Sequence, residues 1–143
     1  KEGIAAGQSP FGAVVVRDAT IVVAAAHNTV WRDTDPSAHA EVNAIRRAAA
    51  RLGRISLHDC VLYSTCEPCP MCLGATHWAK VERLVFGASI ADAAAAGFSE
   101  LQVPATQLVV TGGSPLRVEA GVLDAECRAL FQLWKAAALS ASY

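Results

Sequence analysis

The stretch Thr65-Cys66-Glu67-Pro68-Cys69-Pro70-Met71-Cys72 constrains this chain more than any other, read together with Ser37-Ala38-His39-Ala40-Glu41 upstream. Two thiols in a Cys-x-x-Cys spacing behind a proline, with a His-x-Glu earlier, are the donors a hydrolytic zinc centre requires. Zinc prefers about four tetrahedral nitrogen or sulfur ligands, and a catalytic centre leaves one position to water. His39, Cys69 and Cys72 supply three ligands, and Glu41 is left beside them as a carboxylate that can move protons. The competing reading is a closed structural zinc with Cys66 as fourth ligand. A redox Cys-x-x-Cys pair needs neither His39 nor Glu41. Cys66 precedes Glu67-Pro68 at the end of an expected strand, which points it elsewhere and favours the open arrangement.

The pattern around these motifs alternates strands and helices. Lys1 to Ala6 reads as the end of a helix, closed by Gly7. Phe11 to Val16 is a β-branched run, and Thr20 to Ala26 returns from a turn at Arg17-Asp18-Ala19, which predicts a hairpin. His27 to Asp35 reads as a loop containing Trp31. Asp35-Pro36-Ser37 is a helix-start signal, and Ala38 to Leu52 carries helix formers until Gly53. Cys60 to Ser64 predicts a strand, Pro68 to about Ala79 a helix, Val81 to Phe86 a strand, and Ile90 to Ala96 a short helix ended by Gly97. Gln107 to Thr111 reads as a last short strand, Gly112 to Pro115 as a loop, and Leu123 to Leu139 as the final helix. This gives an α/β chain with a mixed five-stranded sheet and helices on both faces.

The 143 residues suffice for one domain with a sizeable core, and Lys1 in place of methionine suggests residues missing before it. Formal net charge is −1, so the basic balance typical of a nucleic-acid binder is absent. The one short basic cluster, Arg46, Arg47, Arg51 and Arg54, falls on the predicted helix and reads as a solvated face. Five cysteines, an odd number with two at metal spacing, argue for a reducing compartment, hence the cytoplasm, and against a disulfide framework. Cys60 and Cys127 read as packed thiols, and His27 and His58 as loop or surface histidines. No apolar run approaches the roughly 20 residues of a membrane span.

Both halves of the motif fall at predicted helix starts. Unpaired N–H groups and the positive dipole end favour anionic ligands there and lower a thiol's pKa. Cys69 and Cys72, at i and i+3, share one helix face and can reach one ion. Zinc lowers the pKa of bound water to about 7. Glu41 would take the water's proton, deliver it to a ring nitrogen, and then protonate the leaving amine. The reaction so described is hydrolytic deamination of an amidine-like carbon. Backbone N–H groups at the two helix starts are suited to hold the reacting oxygen.

His-x-Glu followed by Pro-Cys-x-x-Cys is the established zinc-deaminase signature. On Asp35 to Glu41 and Thr65 to Ala75 the chain resembles the cytidine-deaminase-like superfamily, in its purine deaminase branch. The resemblance runs from Pro10-Phe11-Gly12-Ala13-Val14 to about Phe98, and less strongly to the end. It implies a three-layer α/β/α fold and a homodimer or larger assembly. The tRNA adenosine deaminases and the bacterial guanine deaminases share both motifs. Further positions resemble the guanine enzymes: Asn28, where an asparagine binds the base; Trp78, as the pocket tryptophan; and Asp92 to Phe98. Tyr143 resembles a carboxy-terminal tyrosine that closes the pocket, often from an exchanged C-terminal segment. The guanine enzymes' Asp-Asp after Gly-Phe is Ser99-Glu100 here, which keeps a carboxylate one methylene longer. That departure bears on which heterocycle is accepted more than on the reaction.

With the resemblance, Phe11, Ala40, Trp78, Phe98 and Tyr143 would surround a flat ring while Asn28 and Glu100 read its edge. Aromatic residues at such spacings otherwise belong to cores. A free base is favoured over tRNA because binding a polyanion draws on clustered lysines and arginines. The last helix carries only Arg128 and Lys135. The expected activity is zinc-dependent deamination of a nucleobase, guanine to xanthine first. Other oxo-aminopurines, cytosine and aminotriazines come next, tRNA adenosine deamination is the alternative, and a structural-zinc binding module is the reading of another class.

Overall fold

The computed structural model describes residues 1–137. The first half contains α1 (Glu2–Ala5), β1 (Gly12–Arg17), β2 (Ile21–His27), α2 (Val30–Asp33), α3 (Ala40–Leu52) and β3 (Cys60–Cys66). The second contains α4 (Pro70–Trp78), β4 (Arg83–Ala88), α5 (Ile90–Ala96), α6 (Ala105–Thr111), β5 (Arg117–Glu119) and α7 (Asp124–Ala136).

The opening hairpin turns at Asp18 and Ala19, whose φ angles of 51° and 59° form the mirror-image turn that suits strand twist. Thr20 N closes it by donating to Arg17 O at 3.3 Å. Five strands then assemble in the order β2-β1-β3-β4-β5. β1 is antiparallel to β2 and β3, while β3, β4 and β5 run parallel, so the sheet is mixed as predicted.

Alternation along β3 turns Cys60, Leu62, Ser64 and Cys66 inward. On one face, Ala13, Val15, Leu62, Leu84 and Phe86 pack against Ala44, Ile45 and Ala48 of α3, Leu73 of α4 and Ala105 of α6. Leu62 and Leu84 are wholly buried, each contributing about 1.5–3 kcal/mol over exposure. A second cluster joins Ile4, Ala93, Ala96, Phe98, Phe131 and Trp134 from α1, α5, α7 and the loop after α5. Gly87 lets α7 approach β4 closely, since a side chain there would run into Cys127. The result is the expected three-layer α/β/α arrangement.

Two expectations fail at the C-terminal end. Residues 107–111, predicted as a strand, lie in α6. Their β-branched content favours a strand locally, but burial of Ala105, with Leu108 and Val109 packed on the same core, selects the helix. The fifth strand is instead Arg117–Glu119, three residues with no apolar run to reveal them. The predicted loop 27–35 contains α2, and His27 belongs to β2. Leu139, the expected end of the last helix, lies outside the described residues.

The arginine cluster also differs from a plain solvated face. Arg47 and Arg51 donate to Ala25 O at 2.8 Å and Val23 O at 2.9 Å, pairing carbonyls of the edge strand β2. Arg46 pairs with Asp35 at 3.7 Å, and Arg54 with Asp59.

Candidate active site

α3 and α4 begin side by side on one face of the sheet, and each offers its N-cap residue to the same point. His39 (φ −66°, ψ 155°) caps α3 and Cys69 (φ −63°, ψ 166°) caps α4, both in extended backbone. Neither side chain bonds its own helix; both turn toward each other. Pro70 takes the first position of α4, where its missing N–H costs nothing, and Cys72 follows one turn in.

The ligand atoms of His39, Cys69 and Cys72 lie within 4.8 Å of one another. His39 Nδ1 is 3.8 Å from Cys69 Sγ and 3.5 Å from Cys72 Sγ. A tetrahedral zinc ion with ordinary bond lengths sets that nitrogen–sulfur edge at about 3.6 Å. The residues present therefore fit the ion.

Burial first lowers the basicity of His39, but its bond to Cys69 and the Cys69 and Glu41 charges outweigh this and leave its pKa raised. The hydrogen bond from Cys72, opposed by burial and aided by His39, brings Cys69 down to about 4. Cys72 moves the other way, through the same bond, burial and the adjacent Glu41. Of the two thiols, Cys69 is therefore the more acidic.

Glu41, 4% exposed on the first turn of α3, faces this group. Its Oε1 accepts from Ser64 Oγ at 2.6 Å, and its Oε2 accepts from Cys72 Sγ at 3.3 Å. Burial raises the Glu41 pKa, with the Ser64 bond and His39 acting against it. Ser64 was missed by the sequence reading. It shares the inward row of β3 with Leu62, and a polar residue in an apolar row demands a buried partner.

Cys66 does not join the ligands. It is buried, and its Sγ donates to Ser89 O at 3.5 Å. Cys60 and Cys127 are free thiols raised by burial, Cys60 to about 11.

Of the residues expected around a ring, Asn28 and Ala40 are wholly buried beside the start of α3. Asn28 Oδ1 accepts from Val30 N at 3.1 Å, and Asn43 Nδ2 joins His27 O, Thr29 Oγ1 and Ala38 O nearby. Phe11 meets Phe98 edge-on at 4.8 Å. Phe98 also packs on Trp134 at 4.9 Å and Phe131 at 6.1 Å, residues of α7 that the sequence reading left out although their i, i+3 spacing marks a buried helix face. Glu100 is partly buried in the loop between α5 and α6. Burial raises its carboxyl pKa, with Cys69 and Glu41 adding to the effect and His39 opposing it.

Trp78 is not brought to this group within the protomer. It ends α4, at the opposite end from Cys69, and is 77% exposed beside His77 and the Lys80 ammonium. Tyr143 lies outside the described residues.

A family model, the cytidine and deoxycytidylate deaminase zinc-binding region, matches residues 1–88. Guanine deaminase from Bacillus subtilis (strain 168) is 52% identical over 100 residues, 69% of this chain and 64% of that protein. The chain thus spans less than two thirds of that relative's length. The tRNA-specific adenosine deaminase of Haemophilus influenzae is 38% identical over 128 residues, covering 86% of this chain and 69% of the relative. A solved structure of guanine deaminase from Nitrosomonas europaea superposes with a TM-score of 0.86 at 33% identity, covering 94% of this chain and 78% of that one.

Proposed function

Because the chain belongs to the cytidine and deoxycytidylate deaminase zinc-binding family, we propose that it hydrolytically deaminates a free nucleobase, with guanine to xanthine as the first candidate. The observation that carries this reading is the placement of Glu41: buried, held by Ser64, and 3.3 Å from the Cys72 sulfur. His39, Cys69 and Cys72 would hold zinc, which when bound supplies hydroxide near neutral pH. Glu41 takes one proton from the attacking water and passes it to the ring nitrogen next to the reacting carbon, then takes the second from the new carbon-bound hydroxyl and delivers it to the amino group, which leaves as ammonia. The carbon loses its amine and gains oxygen, so guanine and water give xanthine and ammonia. The starts of α3 and α4, whose N-cap side chains His39 and Cys69 converge, would favour developing negative charge there.

Asn28, Phe11, Ala40, Phe98 and Glu100 would seat the base. Similarity to the Bacillus and Nitrosomonas guanine deaminases supports guanine. Arg47 and Arg51 each spend one donor on β2 carbonyls, and the formal net charge of −1 lacks the basic balance that favours a polyanion. The Haemophilus tRNA-specific adenosine deaminase, similar over 86% of the chain, supports adenosine in an anticodon loop as the second reading. A structural-zinc module is disfavoured by the turning away of Cys66. A homodimer, in which an exchanged C-terminal segment would bring Tyr143 to the pocket, completes the proposal. No described helix is long and apolar enough to cross a membrane.

The test is ammonia release by zinc-loaded protein from guanine, adenine, cytosine, isocytosine, ammeline, guanosine and an anticodon stem-loop. Release from guanine is the expected result. Release from other bases alone would move the assignment to the Ser99-Glu100 departure. Activity confined to the stem-loop would overturn the free-base reading.

A further inference from the structure

Glu67 lies between the two halves of the metal motif, yet its carboxylate bonds neither ligand. Its Oε2 accepts from Ile90 N at 3.1 Å, at the first residue of α5. Its Oε1 accepts from Ala105 N at 2.8 Å, at the first residue of α6. Its own backbone N donates to Ala88 O at 2.8 Å, so the residue is fixed to the end of β4 as well. Between the two carboxylate contacts run α5, the left-handed Gly97 (φ 107°) and the loop bearing Phe98 and Glu100. The N-cap of α6 is Pro104, which has no side-chain acceptor, and Glu67 takes over that task from 38 positions away. Without it, two main-chain donors on buried residues, Ile90 and Ala105, lose a charged acceptor.

We propose that Glu67 is a positioning residue for base recognition, its carboxylate holding the Phe98–Glu100 segment beside the His39, Cys69 and Cys72 centre. Glu100 is anchored at short range, because Ala105 follows it by only five positions. Phe98 of that segment packs in one buried cluster with Cys66, which ends β3 directly before Glu67 and three positions before Cys69. One side chain therefore joins the metal loop to the segment that reads the substrate. Zinc binding itself does not pass through it, since all three ligands are positioned by α3 and α4.

The inference rests on the proposed nucleobase activity for its kinetic readout and on structure alone for a second one. Zinc-loaded wild type, Glu67→Gln, Glu67→Ala, Glu100→Gln and the double variant Glu67→Ala/Glu100→Gln are compared. The readouts are KM and kcat for guanine (or the base identified by screening), zinc content, and hydrogen exchange of residues 90–105. Glu67→Ala is expected to raise KM about tenfold or more, with wild-type zinc content and faster exchange confined to that segment. Glu67→Gln, keeping one acceptor, falls between. Added to Glu100→Gln, the Glu67→Ala change should cost much less than in wild type, a coupling that general destabilisation does not produce. Equal cost in both backgrounds, loss of zinc, or unchanged exchange would overturn the proposal. If wild type deaminates no base, the functional reading fails, and exchange in the zinc-loaded variants decides the positioning role by itself. Should Glu67→Ala not fold, Glu67→Gln carries the same measurements, including its own cycle with Glu100→Gln.

Discussion

Ser64 Oγ stands 2.6 Å from Glu41 Oε1, a hydroxyl on a strand fixing the carboxylate of a helix across the buried face of the sheet. Cys72 Sγ lies 3.3 Å from the other oxygen, so each carboxylate oxygen of Glu41 has one neighbour. Removing the hydroxyl alone should leave the metal donors in place and release the proton carrier. Ser64→Ala is expected to lower kcat about tenfold or more, with zinc content unchanged and Ser64→Thr recovering part of the loss. Steady-state kinetics paired with metal analysis check this.

Glu41→Gln keeps the shape of the side chain and removes its capacity to take a proton. Turnover should fall about 10²–10⁴-fold while zinc remains bound. Loss of zinc from this variant would show that Glu41 is itself a ligand.

Cys69 carries a thiolate already at acidic pH, with its pKa held at about 4, whereas Cys60 is raised to about 11. In chelator-treated protein at pH 6, a small alkylating reagent should modify Cys69 first, and zinc should protect it. Peptide mapping after brief labelling distinguishes the sites. Equal labelling of Cys60 and Cys69 would contradict the assigned ionisation.

α5 begins with a reciprocal cap: Asp92 N donates to Ser89 Oγ at 3.1 Å, and Ser89 N donates to Asp92 Oδ2 at 2.8 Å. The Ser89 hydroxyl, donating to Asp92 Oδ2 at 2.6 Å, and then the Ser89 N–H lower the Asp92 pKa below its ordinary 3.8. The stabilisation is therefore complete above the unfolded value and is lost as pH falls through the folded one. Asp92→Asn should flatten the acid side of the melting-temperature profile below about pH 4. Ser89→Ala should cost about 1 kcal/mol near neutrality.

Much of this architecture is legible in the sequence because local chemistry and tertiary placement agree. The β-branched run ending at Val16 is a strand in a hairpin, and Ala40–Leu52 is a helix whose buried row Ala40, Ala44, Ala48 recurs every fourth residue. His39, Cys69 and Cys72 converge because each half-motif sits at a helix start, a position readable from Asp35-Pro36-Ser37 and Pro68, although α4 itself opens two residues later at Pro70. Legibility fails where partners are distant in sequence. Residues 107–111 look like a strand until Glu67 and the core under Ala105 are in view. Ser64 and Glu67 act through contacts 23 and 38 positions away, which no local pattern announces.

Arg51 shows the same limit from the other side. Its guanidinium donates to Val23 O at 2.9 Å, so it closes an edge carbonyl that water or a second strand would otherwise take. Arg51→Ala is expected to lower stability by about 1 kcal/mol without changing KM for a small base. A large KM increase for an RNA substrate in this variant would reopen the nucleic-acid reading. Thermal melts and kinetics on both substrate classes make the comparison.

The three proposed metal donors are far apart along the chain: Cys69 and Cys72 follow His39 by 30 and 33 positions. An ion held by all of them would close a loop containing the whole of α3 and β3. By analogy with a disulfide, closing a loop of that size narrows the unfolded ensemble by on the order of 3–4 kcal/mol at room temperature. That is a large share of a small domain's net stability. Metal supply would then govern abundance as well as turnover: a zinc-starved cell would lose this chain to unfolding and proteolysis, and refilling the pool would require new synthesis.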